Sequence, residues 1–281
     1  MPATNLADAL SAAVARLAEA GVPSPRVDAE LLAAYLLGVS PGRVRALALL
    51  GAEAPPGLED LVAERATRIP LQHITGRAYF RHLELQVGPG VFVPRPETET
   101  VAQHAIDRAR ALPAAKVVDL GTGSGAIAAA VASEVPTATV YAVELSALAH
   151  AWAERNLAPL GVTLLQEDLR TALSAHDGTF DVVVSNPPYI PAEAVPREPE
   201  VAEHDPQMAL YGGGADGMEL PAATAATAAR LLKPGGHFIM EHAEVQAAAV
   251  HTLLRSAGCW DQVATRYDLT GRERATSARR L

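Results

Sequence analysis

Cysteine and long apolar stretches are both scarce in this chain, and each shortage excludes a class of protein. Cys259 is the single cysteine among 281 residues, which excludes an internal disulfide framework and is typical of a reducing compartment. No uninterrupted apolar run approaches the roughly 18 residues of a membrane-spanning helix, and the first residues do not resemble a signal peptide. We therefore expect a cytoplasmic protein in which Cys259, beside Trp260, contributes to packing rather than to catalysis.

Positive charge and metal-ligand patterns are also missing. The formal net charge is -9, which argues against a broad surface that binds nucleic-acid phosphates. His237 and His242 lie in or beside a predicted strand without the spacing of metal ligands, so we predict no metal site. The hydrophobic fraction of 49% is enough for a sizeable core, and the length favours two domains.

The first part of the chain has the apolar spacing and the start and stop signals of helices. The first predicted helix spans residues 5–20 and ends at Gly21. Three more follow, and their expected start signals are Ser24-Pro25, Ser40-Pro41 and Pro55-Pro56. The second should end near Gly38 and the fourth near Arg68. We assign residues 1–70 to a small helical domain.

The pattern then changes from helices to strands. Residues 82–87 alternate between apolar and polar, and Gly88-Pro89-Gly90 separates them from the apolar residues 91–93. This predicts a β-hairpin within a linker of residues 71–95. In residues 96–281 strands and helices alternate, which indicates an α/β fold with a doubly wound sheet. The expected strands are residues 116–120, 139–144, 163–166, 180–185 and 237–241.

The segment Asn186-Pro187-Pro188-Tyr189 directly follows the apolar strand at residues 180–185. The strand must end there, because a proline has no N–H to donate to a neighbouring strand. A plain turn is the simplest interpretation. We favour an acceptor for a planar NH2 group, in which Asn186 Oδ1 and the Pro187 carbonyl accept its two hydrogens while Tyr189 stacks on it.

A second motif connects the strand at residues 116–120 to an alanine-rich helix. It comprises Asp119, Gly121, Thr122, Gly123, Ser124 and Gly125. Glycines permit positive φ and a close approach to a ligand, and such loops bind nucleotides where the next helix begins. The following strand ends in Glu144, an acid that can accept hydrogen bonds from ribose hydroxyls. Gly121, Gly123 and Ala126 would also fit a dinucleotide-binding loop.

Together these motifs resemble those of the class I S-adenosylmethionine-dependent methyltransferases, and more closely those of the PrmC/HemK family, which methylates the glutamine of peptide chain release factors. The resemblance covers nearly the whole chain. It also includes Asp28-Ala29-Glu30-Leu31-Leu32, Thr75-Gly76, Phe80, Phe92-Val93-Pro94-Arg95-Pro96-Glu97-Thr98-Glu99 and Asp268-Leu269-Thr270-Gly271-Arg272. It implies a seven-stranded, Rossmann-like sheet, which final strands near residues 262–267 and 274–279 would complete.

The resemblance also implies a cofactor, S-adenosylmethionine, and roles for individual residues. The implied catalytic and substrate-binding residues are Asn186, Pro187, Pro188 and Tyr189, with Arg95 as a further substrate-binding residue. The implied cofactor-binding residues are Asp119, Gly121, Thr122, Gly123, Ser124, Gly125, Glu144, Asp168, Leu169 and Asn186.

Three of these positions have alternatives. Asp168 lies where relatives contact the adenine, although the same acid could cap a helix. Leu169 stands where some relatives carry an aromatic ring. Arg95, between two prolines, could line the entrance of the site or form an ordinary surface salt bridge. Elsewhere, Ala243 replaces a glycine that is common in the family after Glu-His.

The activity that the resemblance implies is methyl transfer to the side-chain amide nitrogen of the glutamine in the GGQ motif of class 1 peptide chain release factors. A carboxamide nitrogen is a poor nucleophile because it shares its lone pair with the carbonyl. Two acceptors that hold both N–H groups could aim the lone pair, by positioning and electrostatic preorganisation. The helical domain would then select the protein substrate, because a planar amide alone is not distinctive.

Two other functions compete with this one. Methylation of the adenine exocyclic amine in DNA would use the same acceptor, but it would need a basic groove and a target-recognition domain. A non-catalytic or NAD-binding Rossmann module would use the glycine loop, but it would leave the segment at Asn186 unexplained.

Overall fold

The computed structural model describes residues 5–281 and divides the chain into two compact units. The helical unit extends to Arg77 and also includes residues 196–204, whereas the sheet unit comprises residues 78–195 and 205–281. The first four residues of the expected helical domain lie outside the described range. The sequence analysis had placed residues 196–204 with the second domain, so a short segment that follows the Asn-Pro-Pro-Tyr motif belongs instead to the helical unit.

Helices and strands follow one another along the described chain in this way. The helices are α1 (Leu6–Glu19), α2 (Pro25–Leu37), α3 (Pro41–Leu49), α4 (Leu58–Ala66), α5 (Leu71–Thr75), α6 (Thr98–Arg110), α7 (Ala126–Glu134), α8 (Ala147–Leu157), α9 (Pro199–His204), α10 (Gln207–Leu210), α11 (Glu219–Leu231) and α12 (Ala247–Ser256). The strands are β1 (Arg77–Phe80), β2 (Leu83–Gln86), β3 (Lys116–Leu120), β4 (Thr139–Glu144), β5 (Thr163–Gln166), β6 (Phe180–Ser185), β7 (Leu232–Glu241), β8 (Trp260–Tyr267) and β9 (Glu273–Arg280).

Local signals place the first helices where the sequence predicts them. The Asn5 side chain accepts a hydrogen bond from the Ala7 N–H at 2.8 Å and caps α1, and Ser40 caps α3 in the same way. Gly38 ends α2 with a left-handed backbone, φ 65°, which a glycine adopts without strain. The sequence analysis missed α5, a single turn between Pro70 and Gly76, because five residues are too few for a periodic pattern.

A buried network of charges holds the two segments of the helical unit together. Arg65 on α4 donates to Asp28 on α2 at 2.8 Å and to Glu200 on α9 at 2.8 Å. Arg68 donates to the other oxygen of Glu200 at 2.6 Å. The Arg65 side chain is only 6% exposed, so the two carboxylates are needed to offset the free-energy cost of burying its positive charge. Asp28, part of the family-like motif near the start, therefore has a structural partner.

The sheet unit contains one mixed sheet of seven strands in the order β5-β4-β3-β6-β7-β9-β8. The strands from β5 to β7 are parallel, and β9 runs antiparallel to both of its neighbours. Strand order reverses between β3 and β6, which is where open α/β sheets bind their ligands. The predicted class I methyltransferase fold is confirmed.

The strands agree with the sequence analysis except at two places. β7 begins at Leu232, five residues before the predicted start, and its pairing with β6 shifts between Phe180 and Val182. A hairpin does lie within residues 71–95, but its predicted second strand is wrong, because β2 pairs with β1, which precedes it, and residues 91–93 form no strand. The turn occurs at Arg81, whose backbone has φ 56° and whose N–H donates to the Glu99 carboxylate at 2.9 Å.

The glycines expected in the hairpin turn have a further role in packing. A Cβ on Gly88 would lie 2.5 Å from the ring of Trp152, and one on Gly90 would lie 2.8 Å from Leu148. Both partners are on α8. Gly88 is therefore needed because the segment packs tightly against a helix, whereas Gly90 is needed both for that packing and for the positive φ, 89°, of a turn.

Two apolar clusters cover the two faces of the large sheet. The first packs α6 and α7 against β3, β4 and β6 and includes Ile106, Ile127 and Val184. The second packs α11 and α12 against the opposite face and includes Leu231 and Phe238. Cys259 is only partly buried beside this second cluster. Within residues 5–281, no helix is long and apolar enough to cross a membrane.

We predict that Arg65→Met lowers the free energy of unfolding by about 3 to 5 kcal/mol, because it leaves the buried carboxylates of Asp28 and Glu200 without their shared partner. Urea unfolding followed by circular dichroism measures the change. Arg43→Met, at an exposed position on α3, is the matched control. Equal unfolding midpoints for the two variants would contradict the role of the network.

The same network predicts a dependence on pH. Burial opposes ionisation of Glu200, but the hydrogen bonds from Arg68 and Arg65 outweigh it and lower its pKa from 4.5 to about 2. A carboxylate with a lowered pKa in the folded state contributes stability above its ordinary pKa and loses it as the pH falls. The difference in stability between the native protein and Arg65→Met should therefore shrink between pH 4.5 and pH 2.

Candidate active site

The two sequence motifs lie at the same edge of the sheet because their strands are neighbours. β3 and β6 run parallel, with Leu120 beside Ser185, so the glycine loop and Asn186 both begin where this pair ends. The Ser185 hydroxyl donates to the Leu120 carbonyl at 2.6 Å and ties the two strand ends together. The pairing brings residues about 65 positions apart into one site.

The glycine loop is held by the end of β4. The N–H groups of Gly121 and Thr122 both donate to the Val143 carbonyl at 2.9 Å. Gly121, Gly123 and Gly125 have φ of 73°, 58° and 86°, a region that strains other residues. A Cβ on Gly125 would also lie 2.8 Å from the Leu157 side chain. The loop therefore keeps its shape only with glycine at these positions.

Asp119 is a buried acid with one oxygen left over. Its Oδ2 accepts hydrogen bonds from the Thr122 hydroxyl at 2.6 Å and from the Ala128 N–H at 3.2 Å. Among the described residues, its Oδ1 has no hydrogen-bond partner. Burial raises the pKa of Asp119 to about 7, although the two hydrogen bonds oppose the rise. A buried acceptor without a donor is costly, and a ligand that carries an N–H group would satisfy it.

Glu144 connects the two sides of the glycine loop. One of its oxygens accepts from the Gly123 N–H and the other from the Ser146 N–H, both at 2.8 Å. Burial raises the pKa of Glu144, and the backbone hydrogen bonds oppose that rise. Each carboxylate oxygen keeps a further lone pair, so Glu144 can still accept from the two hydroxyls of a ribose. The cofactor that the fold implies therefore fits the residues that are present.

Asn186 has one end of its amide already engaged. Its Nδ2 donates to the hydroxyl of Thr98 at 3.3 Å, which leaves Oδ1 as the end that can accept from another group. Pro187, the next residue, is buried, and the carbonyl of a buried residue needs a hydrogen-bond donor. Asn186 Oδ1 and the Pro187 carbonyl oxygen belong to adjacent residues. Two acceptors for the two hydrogens of one NH2 group have to be close together in this way.

Tyr189 is fixed from two directions. Its hydroxyl lies 3.5 Å from the Glu241 carboxylate, and its backbone carbonyl accepts from Gln246 Nε2 at 2.8 Å. Burial raises the pKa of Tyr189 above its ordinary value, and the nearby charge of Glu241 raises it further. The phenol therefore stays neutral, as a ring that stacks on a planar group should.

A segment that the sequence analysis missed supports the Asn-Pro-Pro-Tyr loop from behind. A Cβ on Gly212 would lie 2.8 Å from the Pro188 carbonyl, and one on Gly217 would lie 2.2 Å from the Tyr189 carbonyl. Gln246 also donates to the Asp216 carbonyl at 2.9 Å and so holds this segment against the loop. The glycines Gly212, Gly213, Gly214 and Gly217 were the available signal, but a glycine-rich stretch is more often a simple turn.

Two predicted residues have local partners. Asp168 accepts from the N–H and the guanidinium of Arg170, two positions along, and the hydrogen bond from that side chain lowers its pKa. It also begins a turn, because its carbonyl accepts from the N–H groups of Thr171 and Ala172. Leu169 lies 3.7 Å from where a Cβ on Gly121 would be. Leu169 is therefore beside the glycine loop, and the adenine contact of Asp168 stays a prediction.

Arg95 does not form the ordinary surface salt bridge that the sequence left open. It donates to Asp205 at 2.7 Å, and the Asp205 side chain is 0% exposed. Its guanidinium also lies 5.0 Å from the centre of the Phe92 ring, a distance at which cation and ring attract each other. Arg95 thus anchors the residue where the chain re-enters the sheet unit after residues 196–204, and contact with a substrate stays a prediction.

Comparisons with known proteins agree with the motifs. Two family models match the chain, the PrmC N-terminal domain at residues 8–76 and the methyltransferase small domain at residues 84–200. The release factor glutamine methyltransferase of Streptomyces coelicolor is 51% identical over 271 residues, which is 95% of each chain. A 4-amino-L-phenylalanine/4-methylamino-L-phenylalanine methyltransferase of Streptomyces pristinaespiralis is 42% identical over 94% of this chain and 92% of its own.

A solved structure supports the fold alone. The T. thermophilus 16S rRNA N2 G1207 methyltransferase, in complex with AdoMet and guanosine, matches with a TM-score of 0.51 and 21% identity over 73% of this chain and 50% of its own. The relative from Streptomyces coelicolor is far more similar and spans almost the whole length. The chain therefore belongs to the family of release factor glutamine methyltransferases.

Proposed function

We propose that this enzyme transfers the methyl group of S-adenosylmethionine to the side-chain amide nitrogen of a glutamine, the one in the GGQ motif of class 1 peptide chain release factors. The observation that carries the proposal is the state of Asn186. Its Nδ2 is engaged by Thr98, so its Oδ1 and the neighbouring Pro187 carbonyl form a pair of acceptors beside the glycine loop. Such a pair suits the two hydrogens of a carboxamide NH2.

The residues of the chain divide into those that hold the cofactor and those that hold the substrate. Asp119, Glu144 and the N–H groups of the glycine loop would hold S-adenosylmethionine, which supplies an electrophilic methyl group on a sulfonium sulfur when bound. Asn186 and Pro187 would hold the substrate nitrogen, so that its lone pair points away from both acceptors. Positive charge that develops on the nitrogen then meets two fixed dipoles.

No side chain of the site has to act as a base before the methyl group is transferred. An alkylated amide nitrogen is strongly acidic and loses its proton easily, so water suffices as the acceptor. The neutral Tyr189 and the buried Glu241 are therefore needed for shape and hydrogen bonding.

A second acceptor class follows from the comparisons. The relative from Streptomyces pristinaespiralis is named for an amine on an aromatic ring, and such an NH2 group is also nearly planar. We favour the release factor because the relative named for it is more similar, at 51% identity against 42%. Adenine in DNA is a weaker candidate, because the net charge of -9 disfavours a nucleic-acid surface.

Mass spectrometry of a purified release factor, after incubation with the enzyme and S-adenosylmethionine, tests the proposal directly. The expected product carries one added methyl group on the glutamine side chain. Parallel reactions with 4-amino-L-phenylalanine and with duplex DNA test the two other acceptors. Methylation of either one, with no change in the release factor, would overturn the assignment of the substrate.

The helical domain, which ends near residue 70, is proposed to recognise the release factor. The reaction is proposed to take place in a reducing cytoplasm. The acceptor pair recognises only an amide, so the choice of one glutamine among many must come from contacts elsewhere. Leu49 and Leu50, at the end of α3, are 89% and 76% exposed. Adjacent exposed leucines are candidates for such a contact.

We predict that Asn186→Ala lowers turnover by on the order of 100-fold or more, by analogy with the loss of one preorganised polar group. The affinity for S-adenosylhomocysteine, measured by calorimetry, should stay within about twofold, because the glycine loop and Glu144 are unchanged. Turnover near the native rate would show that the acceptor pair does not hold the substrate nitrogen.

We predict that Glu144→Gln weakens binding of S-adenosylhomocysteine by roughly 10-fold to 100-fold, which corresponds to the loss of a charged acceptor worth about 1.5 to 3 kcal/mol. Both carboxylate oxygens already accept from backbone N–H groups, and a glutamine would set its own NH2 against one of them. Glu154→Gln, on the exposed side of α8, makes the same change in charge and should bind normally. Equal affinities would refute the placement.

We predict that the double substitution Leu49→Glu and Leu50→Glu raises KM for the release factor about fivefold or more, while kcat and cofactor affinity are unchanged. The reason is that the substitutions remove two exposed apolar side chains from the proposed contact surface and put two negative charges in their place. Leu269→Glu, at a fully exposed leucine of the sheet unit, is the control. If the control raises KM as much as the double variant does, the effect is one of net charge and the helical unit has another role.

A further inference from the structure

The hydrogen bond that fixes Asn186 continues into the protein interior. Thr98, which receives it, is the first residue of α6 and is buried. The Thr98 side chain also favours the ionised form of Glu241, at the end of β7, and so lowers the pKa of that acid. Asn186 directly follows β6, Thr98 begins α6 and Glu241 ends β7, so three elements contribute to the surroundings of this amide.

The direction of each hydrogen bond follows from the number of protons. A hydroxyl has one proton to donate and two lone pairs. In the structure Asn186 Nδ2 donates to the Thr98 hydroxyl at 3.3 Å, so the hydroxyl keeps its own proton, with which it can favour the ionised carboxylate of Glu241. The same hydroxyl must then accept from Asn186, and the Nδ2 end of the amide is the end that donates. An ionised Glu241 therefore favours the arrangement in which Nδ2 of Asn186 faces Thr98.

Glu241 is surrounded by groups that affect its ionisation. Burial raises its pKa to about 7, the Thr98 hydrogen bond and Arg274 lower it, and Glu97 raises it. The Tyr189 hydroxyl donates to Oε1, and among the described residues Oε2 has no partner. The acid is only 1% exposed and has no role in holding the substrate or the cofactor in the proposed mechanism.

The orientation of Asn186 matters because the two ends of an amide have nearly the same shape and opposite hydrogen bonding. With Oδ1 outward, the site accepts from an NH2 group. With Nδ2 outward, the site donates, opposes the NH2 of a glutamine and suits the carboxylate of a glutamate. Shape alone would not prevent the rotation, so something inside the protein has to decide between the two.

We infer that Thr98 and Glu241 are positioning residues that keep Oδ1 of Asn186 turned toward the substrate, and that this makes the site select a carboxamide over a carboxylate. The inference rests on the proposed function, since it concerns the same acceptor pair. Asn186 and Pro187 contact the substrate in this proposal. Thr98 and Glu241 do not contact it, but they determine whether the site favours an amide or a carboxylate.

Thr98→Val tests the inference, because valine has the shape of threonine without the hydroxyl. We expect kcat for the release factor to fall about 10-fold, a change typical of one lost hydrogen bond at a buried polar group, with affinity for S-adenosylhomocysteine within about twofold. Thr98→Ser keeps the hydroxyl and should restore most of kcat. A role in packing alone predicts the opposite order, because serine removes the methyl group that valine keeps.

A second readout follows the selection itself. A release factor whose substrate glutamine is replaced by glutamate should inhibit the native enzyme weakly and Thr98→Val at least about fivefold more strongly, because the freed amide can turn its Nδ2 toward the carboxylate. Thr98→Ser should resemble the native enzyme. If Thr98→Val loses turnover without any gain in this inhibition, Thr98 does not orient the amide and the inference is wrong.

Asn186→Ala separates this inference from the proposed function. If Asn186→Ala is inactive while Thr98→Val keeps both its turnover and its preference for glutamine, the acceptor pair is right and the positioning role is overturned. If Asn186→Ala itself keeps its turnover, the acceptor pair is wrong and the inference fails with it. Loss of turnover in both variants, with rescue by Thr98→Ser and stronger inhibition by the glutamate form, supports the inference.

Discussion

The parallel pairing of β3 with β6 is the constraint on which the site depends. It joins two strands whose loops carry different tasks, and the register of Leu120 with Ser185 makes both loops start at one level. Strand order reverses between these two strands, so the helices that follow them leave to opposite faces and open a crevice. The glycine loop and the Asn-Pro-Pro-Tyr loop can therefore lie side by side although they are about 65 positions apart in the sequence.

Two buried acids stand behind this crevice, one at each motif. Asp119 lies at the glycine loop and Glu241 lies behind the Asn-Pro-Pro-Tyr loop, and burial raises the pKa of each to about 7. Within residues 5–281, each has one oxygen without a hydrogen-bond partner. Such groups reduce stability, so their presence at both halves of the site indicates that the fold gives up some stability for the arrangement of hydrogen bonds.

The helical unit gives the segment after the Asn-Pro-Pro-Tyr loop a fixed position within that unit. Residues 196–204 follow the loop along the chain, yet they pack with the N-terminal helices, and Arg65 and Arg68 bind Glu200 there. The chain re-enters the sheet unit at Asp205, which Arg95 holds. The family-like residues Asp28 and Arg95 are thus explained by ion pairs, and neither needs a ligand to account for it.

Much of the fold could be predicted from local signals. The strands β3, β4, β5 and β6 agree with the sequence analysis residue by residue. A buried parallel strand such as β3 or β6 is a largely continuous apolar run, which local patterns detect well. The same approach failed between Gly88 and Val93, where the turn is not followed by a strand and the glycines also allow close contact with Trp152 and Leu148. Sequence patterns alone cannot separate these two uses of glycine.

For the site, the sequence by itself determined the two loops and the chemistry of their residues, because prolines end a strand and glycines permit positive φ wherever they stand. Only the tertiary structure decided what holds those residues. Thr98, Gln246 and Glu241 come from other elements, and their contacts with Asn186 and Tyr189 span 52 to 88 positions of sequence. Such contacts depend on the order of strands in the sheet, and no local pattern encodes that order.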